Sequence, residues 1–284
     1  MGIFSDVLLT VDYDRTLTAP DSTIPERNLA AIRYFMENGG AFTLNTGRSV
    51  PMAQSLIDVV PTNAPLLLYN GSAAYDPKTK QFLFAHPIRL DLWETVERMQ
   101  ELLPNLTLEV QGIDAHYRFT ENPAWDALCD HNHCPRGFAQ PGDDLGPFLK
   151  IALYGELRDA TIASLYDASE QELQEMDEAE SLLNAHFGEH CIVYRACTRI
   201  LDVHAKGVSK AKAARLLQQK LGRQWLVCVG DGENDVAMLR EADFSYAPAD
   251  GVVADRFENV CNCADGAIAD VIYEKIPEIL KKCP

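Results

Sequence analysis

The chain has 284 residues, 47% of them hydrophobic and 24% charged, with a formal net charge of −17. That length calls for one large domain or two moderate ones, and the apolar fraction is enough to fill real cores. No run approaches the roughly 18 apolar residues of a membrane span, and the acidic balance argues against nucleic acid or an anionic membrane as a partner.

Residues 3–11, rich in Val, Leu, Ile and Phe, read as a short buried strand that ends in Asp12-Tyr13-Asp14. Two carboxylates at the carboxyl end of a strand share one crevice once the pleat breaks, and open α/β sheets place their chemistry there. A lone D-x-D is equally well explained by a polar turn. After a turn-rich stretch, Thr18–Pro25, a helix is expected over Glu26–Asn38, with Leu29, Ile32, Phe35 and Met36 as its apolar stripe. Gly39-Gly40 stops it. Ala41–Asn45 reads as a second strand ending at Thr46-Gly47-Arg48. A further helix precedes Pro61, and Pro65–Tyr69 is a third strand closing on Asn70-Gly71. Strand and helix alternating in this way predict a parallel sheet with right-handed crossovers.

From about Phe82 to Arg195 the pattern changes. A strand is followed by a helix at Leu90–Leu103, strands at Leu106–Gln111 and His116–Thr120, and a helix at Pro123–Cys129. Cys134–Pro147 reads as an irregular loop because of its prolines and glycines. A strand at Phe148–Tyr154, an acidic helix at Glu170–Phe187 and a strand at Cys191–Tyr194 complete an α+β module. The parallel pattern is expected to resume with a strand at Arg199–Val203 and a helix at Gly207–Leu221. Then come a strand at Gln224–Val229 ending at Gly230-Asp231, a helix around Asn234–Ala242, a strand at Phe244–Ala247 and a terminal helix at Val271–Lys282. The expected fold is an α/β, Rossmann-like parallel-sheet core, residues 1–81 and 196–284, interrupted by an inserted α+β cap at 82–195.

Four polar clusters stand just after predicted strands or at helix starts: Asp12/Asp14, Thr46-Gly47-Arg48, Lys210, and Gly230-Asp231-Gly232-Glu233-Asn234-Asp235. As D-x-D-x-T, T-G-R, G-V-S-K and G-D-x-x-N-D, in that order and with a large insert between the second and third, they closely resemble the haloacid dehalogenase-like superfamily. The place of the insert and the Asn70-Gly71 pair are most similar to its Cof-type branch, subclass IIB. The resemblance spans nearly the whole chain and implies a phosphatase of small phosphorylated metabolites, sugar phosphates first among them.

Phosphate ester hydrolysis needs a placed nucleophile, charge neutralisation and a proton donor. The resemblance implies that Asp12 attacks phosphorus to form an aspartyl-phosphate and that Asp14 is the general acid and base. Acids this close need a cation. Mg²⁺ held by the Asp12 carboxylate, the Asp14 backbone carbonyl and Asp231 supplies it, and offsets the acidic pocket toward an anionic substrate. Thr46 and the amides of Gly47 and Arg48 are expected on phosphoryl oxygens, joined by Asn70 and Asn234. Lys210 provides fixed positive charge, with Lys206 as a rival four residues upstream, and Asp235 orients Lys210 or a metal-bound water. Arg15 stands where the family has Gly, which puts the shape of the following loop in question. Two other readings keep part of this chemistry: a phosphomutase or phosphotransferase, and a non-enzymatic phosphate- or Mg²⁺-binding regulator.

The eight cysteines follow no repeating spacing, and the start lacks a basic segment before an apolar one, so reduced thiols and a cytoplasmic protein are expected. Cys129, His131, His133 and Cys134 carry zinc-type donors, but within six residues they are too compressed for the usual two-pair arrangement. A helix end or a substrate-facing loop accounts for them as well. The acidic run from Glu170 to Glu180 reads as a solvated helix face. Neither the oligomeric state nor the particular metabolite is legible.

Overall fold

A computed structural model describes residues 2–156 and 167–282. In chain order it begins with β1 (Val7–Val11), α1 (Glu26–Glu37), β2 (Ala41–Leu44), α2 (Val50–Ile57), β3 (Leu66–Leu68), β4 (Ala73–Asp76) and β5 (Gln81–Ala85). Next come α3 (Leu92–Leu102), β6 (Thr107–Gln111), β7 (His116–Arg118), α4 (Pro123–His131), β8 (Arg136–Phe138), β9 (Lys150–Tyr154), α5 (Glu170–Phe187), β10 (Cys191–Cys197) and β11 (Ile200–Ala205). It closes with α6 (Lys210–Lys220), β12 (Trp225–Val229), α7 (Val236–Glu241), β13 (Phe244–Pro248), β14 (Glu258–Val260) and helical turns over residues 267–282. By its contacts the chain divides into two units. The first is Met1–Gly47, Leu56–Phe84 and Ser209–Pro284, and the second is Arg48–Ser55 with Ala85–Val208. Among the described residues no helix is long and apolar enough to cross a membrane.

The first unit is built on a five-stranded sheet in the order β14-β13-β12-β1-β2, with all four pairings parallel. β1 is buried throughout, as a strand covered on both faces must be. Leu8, Leu67, Ala213, Leu217, Leu226, Cys228 and Met238 form the core on one of its sides. The connection from β1 to β2 runs one way across the sheet and β12 lies on the other, so the carboxyl ends of β1, β2 and β12 frame the point where strand order reverses. The third predicted strand does not extend this sheet beyond one bridge, Asn45 to Leu67. β3 pairs antiparallel with β4 instead.

The second unit carries a six-stranded sheet, order β10-β11-β9-β6-β7-β8. Ile200–Ala205, expected to resume the parallel pattern, runs antiparallel between β10 and β9 and belongs here. Its side chains alternate with the sheet's period of two. Leu108, Val110, Ile151, Leu153, Leu201 and Val203 pack with Val96, Met99, Met176 and Leu183 from α3 and α5. The opposite face presents Glu109, Gln111, Lys150, Tyr154, Asp202 and His204, all buried. The acidic helix is solvated as expected, anchored by Met176, Ala179, Leu183 and Phe187 and started by the Ser169–Glu172 capping box.

His204 makes this face acid-sensitive. Burial and the nearby Lys150 charge pull its pKa down to about 3, while a bond to the Leu149 carbonyl opposes the shift. The unfolded chain therefore binds a proton near pH 6.5 that the folded chain refuses, and stability present above that pH is lost as pH falls toward the folded value. From pH 7 to pH 5 this one group is expected to cost about 2 kcal/mol. His204→Leu should flatten that part of the stability profile in urea titrations, and a profile unchanged by the substitution would refute the assignment.

Candidate active site

Asp12 follows β1 directly, and its position is set by the strands on either side. Its own amide donates to the Val229 carbonyl at 3.0 Å, and the Asn45 amide donates to Val11 at 2.8 Å. The chain then turns tightly over Tyr13–Leu17, closed by the Thr18 amide on the Tyr13 carbonyl and by the Arg15 amide on Thr18 Oγ1. Arg15 has φ +61°, the left-handed region that glycine enters freely. The turn is therefore kept with an exposed side chain in place of glycine, at a backbone cost of about 1–2 kcal/mol. Thr16, wholly buried in this turn, donates its hydroxyl to Asp231 Oδ1 at 2.7 Å and ties the first motif to the last.

Lys210 opens α6, which Ser209 caps by accepting the Lys212 amide. Only 3% of Lys210 is exposed, and its ammonium donates to Asp12 Oδ1 at 2.6 Å and to Asp235 Oδ1 at 2.7 Å. Asn45 Nδ2 holds the Lys210 carbonyl at 3.0 Å. Gly71 sets the approach of the helix start: its φ is +94°, and a Cβ there would run into the Ser209 carbonyl oxygen. Gly71→Ala is expected to cost at least about 2 kcal/mol of stability and to lower activity with it, because backbone strain and a main-chain clash meet beside the lysine. Equal unfolding midpoints for the two proteins would sink that expectation. Asp235 is fully engaged, its Oδ2 accepting the amides of Asp231 and Gly232 at 3.2 and 3.1 Å. A Cβ on Gly230 would sit 2.6 Å from the Asp235 side chain, so a glycine is needed there.

One carboxylate oxygen from each of Asp12, Asp231 and Asp235 lies within 4.8 Å of the other two, and the Lys210 ammonium bonds Asp12 and Asp235. Burial, only partly countered by Lys210, holds the Asp12 carboxyl well above its ordinary pKa, and the charges of Asp235, Asp231 and Asp14 add to the rise. Burial and the Asp235 charge push Asp231 up to about 6 against the bond from Thr16. Lys210 is held above the usual lysine value: burial opposes its charge, but Asp12 and Asp235 more than compensate. An excess of buried carboxylate with hard oxygen donors fits a divalent cation such as Mg²⁺. Among the described residues a second group, Glu109, His116 and Cys129, has metal-capable atoms equally close.

The remaining predicted residues fall as follows. Thr46 is buried just past β2, its amide on the Leu67 carbonyl and its carbonyl accepting the Asn70 amide at 3.0 Å. Gly47 lies against Asn70, where a Cβ would come within 2.9 Å of Oδ1. Arg48 is half-buried and belongs to the second unit. Asp14 and Asn234 are partly exposed in their turns. Lys206, the rival lysine, is exposed and donates to the Gly188 carbonyl. Cys129 and Cys134 are buried while His131 and His133 are exposed at the end of α4, so these four donors do not converge. Sequence reasoning gave no part to Thr16 or Asn45. The threonine of D-x-D-x-T was the available signal for the first, and nothing local marks the second.

Similarity to known proteins covers the same ground. The family model described as haloacid dehalogenase-like hydrolase matches residues 9–263. A Bacillus subtilis 5-amino-6-(5-phospho-D-ribitylamino)uracil phosphatase is 23% identical over 248 residues, covering 84% of this chain and 82% of that protein. An Escherichia coli HMP-PP phosphatase is 25% identical over 241 residues, covering 82% and 80%. The crystal structure of a haloacid dehalogenase-like hydrolase from Bacteroides thetaiotaomicron superposes with a TM-score of 0.76 at 18% identity, over 95% of this chain and 98% of that one.

Proposed function

Because the chain belongs to the haloacid dehalogenase-like hydrolase family, we propose that it is a Mg²⁺-dependent phosphatase of a small phosphorylated metabolite, a phosphorylated sugar or polyol. The observation that carries this reading is the Lys210 ammonium bridging Asp12 and Asp235, which gathers segments 198 and 25 residues away in sequence around one charge. A ribityl phosphate is what the Bacillus relative is named for, and it supports the substrate class.

In this reading Lys210 engages Asp12 Oδ1 and leaves Oδ2 to attack phosphorus. The ester P–O bond breaks as the new one forms, and Asp14 gives its proton to the departing oxygen. Asp14 then takes a proton from the water that cleaves the aspartyl-phosphate, freeing phosphate and restoring Asp12. Asp235, anchored by two amides, fixes Lys210. Thr46, the amides of Gly47 and Arg48, and Asn70 and Asn234 hold phosphoryl oxygens. Asp12, Asp231 and the Asp14 carbonyl would hold Mg²⁺, which when bound neutralises charge on the cluster and on the phosphoryl group. The second unit is the cap, and free thiols at the seven described cysteines fit a cytoplasmic protein.

The test is phosphate release from a panel of phosphorylated sugars, polyols, nucleotides and cofactors, with Mg²⁺ and with EDTA. Release confined to the Mg²⁺ arm, and fastest on sugar or polyol phosphates, is expected. No release from any compound, or release untouched by EDTA, refutes the proposal.

A further inference from the structure

We propose that His116 is a positioning residue for the phosphate-binding stretch, acting through Ser49. This rests on the phosphatase reading above. Ser49 follows Thr46-Gly47-Arg48 and is wholly buried where α2 begins. Its hydroxyl accepts the Met52 amide at 3.2 Å and its carbonyl accepts the Ala53 amide at 2.9 Å, so it caps the helix. The same hydroxyl lies 2.7 Å from His116 Nε2, on β7. On its other side His116 Nδ1 is 3.2 Å from Glu109 Oε1, on β6.

Glu109 holds the His116 ring from the side away from Ser49. Burial alone would raise its pKa, but the charge and bond of His116, a bond from Gln111 and the charge of Lys150 hold it below the ordinary value. The carboxylate is therefore charged and only accepts. It takes Gln111 Nε2 and the Tyr154 hydroxyl, and Nδ1–H of His116. Nε2 of the same ring meets the Ser49 hydroxyl, which also accepts the Met52 amide. One hydroxyl thereby has its rotation fixed from two sides.

An N-cap needs no histidine, and a buried polar network on a sheet face is often no more stable than an apolar one. What the chain Glu109–His116–Ser49 adds is a fixed start for α2, one residue past the amides that the phosphatase reading puts on phosphate. Misplacing a binding group by about 1 Å can cost 10²-fold in rate. Serine, histidine and carboxylate here follow the order of a hydrolytic triad. Ser49 is fully covered and its oxygen serves the helix cap, so the arrangement orients backbone and does not attack substrate.

The experiment compares wild type with His116→Phe, Ser49→Ala, the double variant and His116→Gln. It reads orthovanadate inhibition of p-nitrophenyl phosphate hydrolysis, and deuterium exchange of the amides of residues 47–50, 52 and 53. His116→Phe and Ser49→Ala should each raise the vanadate inhibition constant about tenfold, the scale of one lost cap bond, and speed exchange in that segment. The double variant should be no worse than either single one, and His116→Gln, which can still bond Ser49, should recover part of the loss. Should His116→Phe fail to fold, Ser49→Ala breaks the same bond from the other end. An active wild type whose variants keep its inhibition constant, or whose losses add, overturns the positioning role alone. A wild type that neither turns over nor is inhibited by vanadate overturns the phosphatase reading and this inference with it.

Discussion

Asp12→Asn is expected to lower phosphate release by at least about 10⁴-fold, since the proposed mechanism makes Asp12 the attacking carboxylate and an amide oxygen cannot take its place. The fold should not suffer. The Asp12 carboxyl is held well above its ordinary pKa, chiefly by burial and then, past the opposing pull of Lys210, by Asp235, Asp231 and Asp14. An acid whose folded pKa is raised stabilises the fold while protonated and loses that contribution as pH climbs past its unfolded value. At neutral pH and in EDTA the neutral amide should therefore hold or raise the unfolding temperature. Activity and stability moving in opposite directions separate loss of a nucleophile from misfolding. A variant retaining near-wild-type turnover would remove Asp12 from the chemistry.

Lys210→Met should move both quantities downward. Its ammonium is the shared partner of Asp12 and Asp235, at 2.6 and 2.7 Å, with side-chain exposures of 2%, 11% and 1% for the three residues. Removing one member of a buried ion pair costs about 3–5 kcal/mol because the remaining charge is left without compensation. Turnover should fall on the order of 10²-fold or more, as lost electrostatic stabilisation does elsewhere. Combining Asp12→Asn with Lys210→Met should return part of the stability, since one stranded carboxylate is gone. Urea denaturation of the four proteins reads this coupling, and strictly additive losses would show that Lys210 and Asp12 do not act on each other.

Most of the parallel sheet was legible because its strands are apolar runs closed by turn residues. β1, β2 and β12 each end at a polar cluster, and the order of those clusters marks the candidate site. The sequence signal failed where pairing is decided far away. Ile200–Ala205 has the composition of a core strand, but its partners are β10 and β9, and only the register with Ala152 and Tyr194 reveals that. β8 lies within a stretch rich in Pro and Gly, and β14 is a short edge strand with two exposed residues, so neither has a period to detect. Arg15 could be flagged as unusual from sequence, whereas its left-handed backbone could not be foreseen. Ser49 and His116 stand 67 residues apart, and no local pattern marks either as the other's partner.

The division of the chain bears on any attempt to trim it. The second unit is not one uninterrupted insertion, because Arg48–Ser55 is grouped with Ala85–Val208. Joining residue 84 directly to 209 would delete His116 and Trp125 while retaining Ser49 and Met52, which are packed or bonded with them. A minimal protein made by that shortcut would carry a helix whose opening turn has lost its anchors and whose methionine has lost its apolar neighbours. A shortened version would have to redesign residues 48–55 along with the splice.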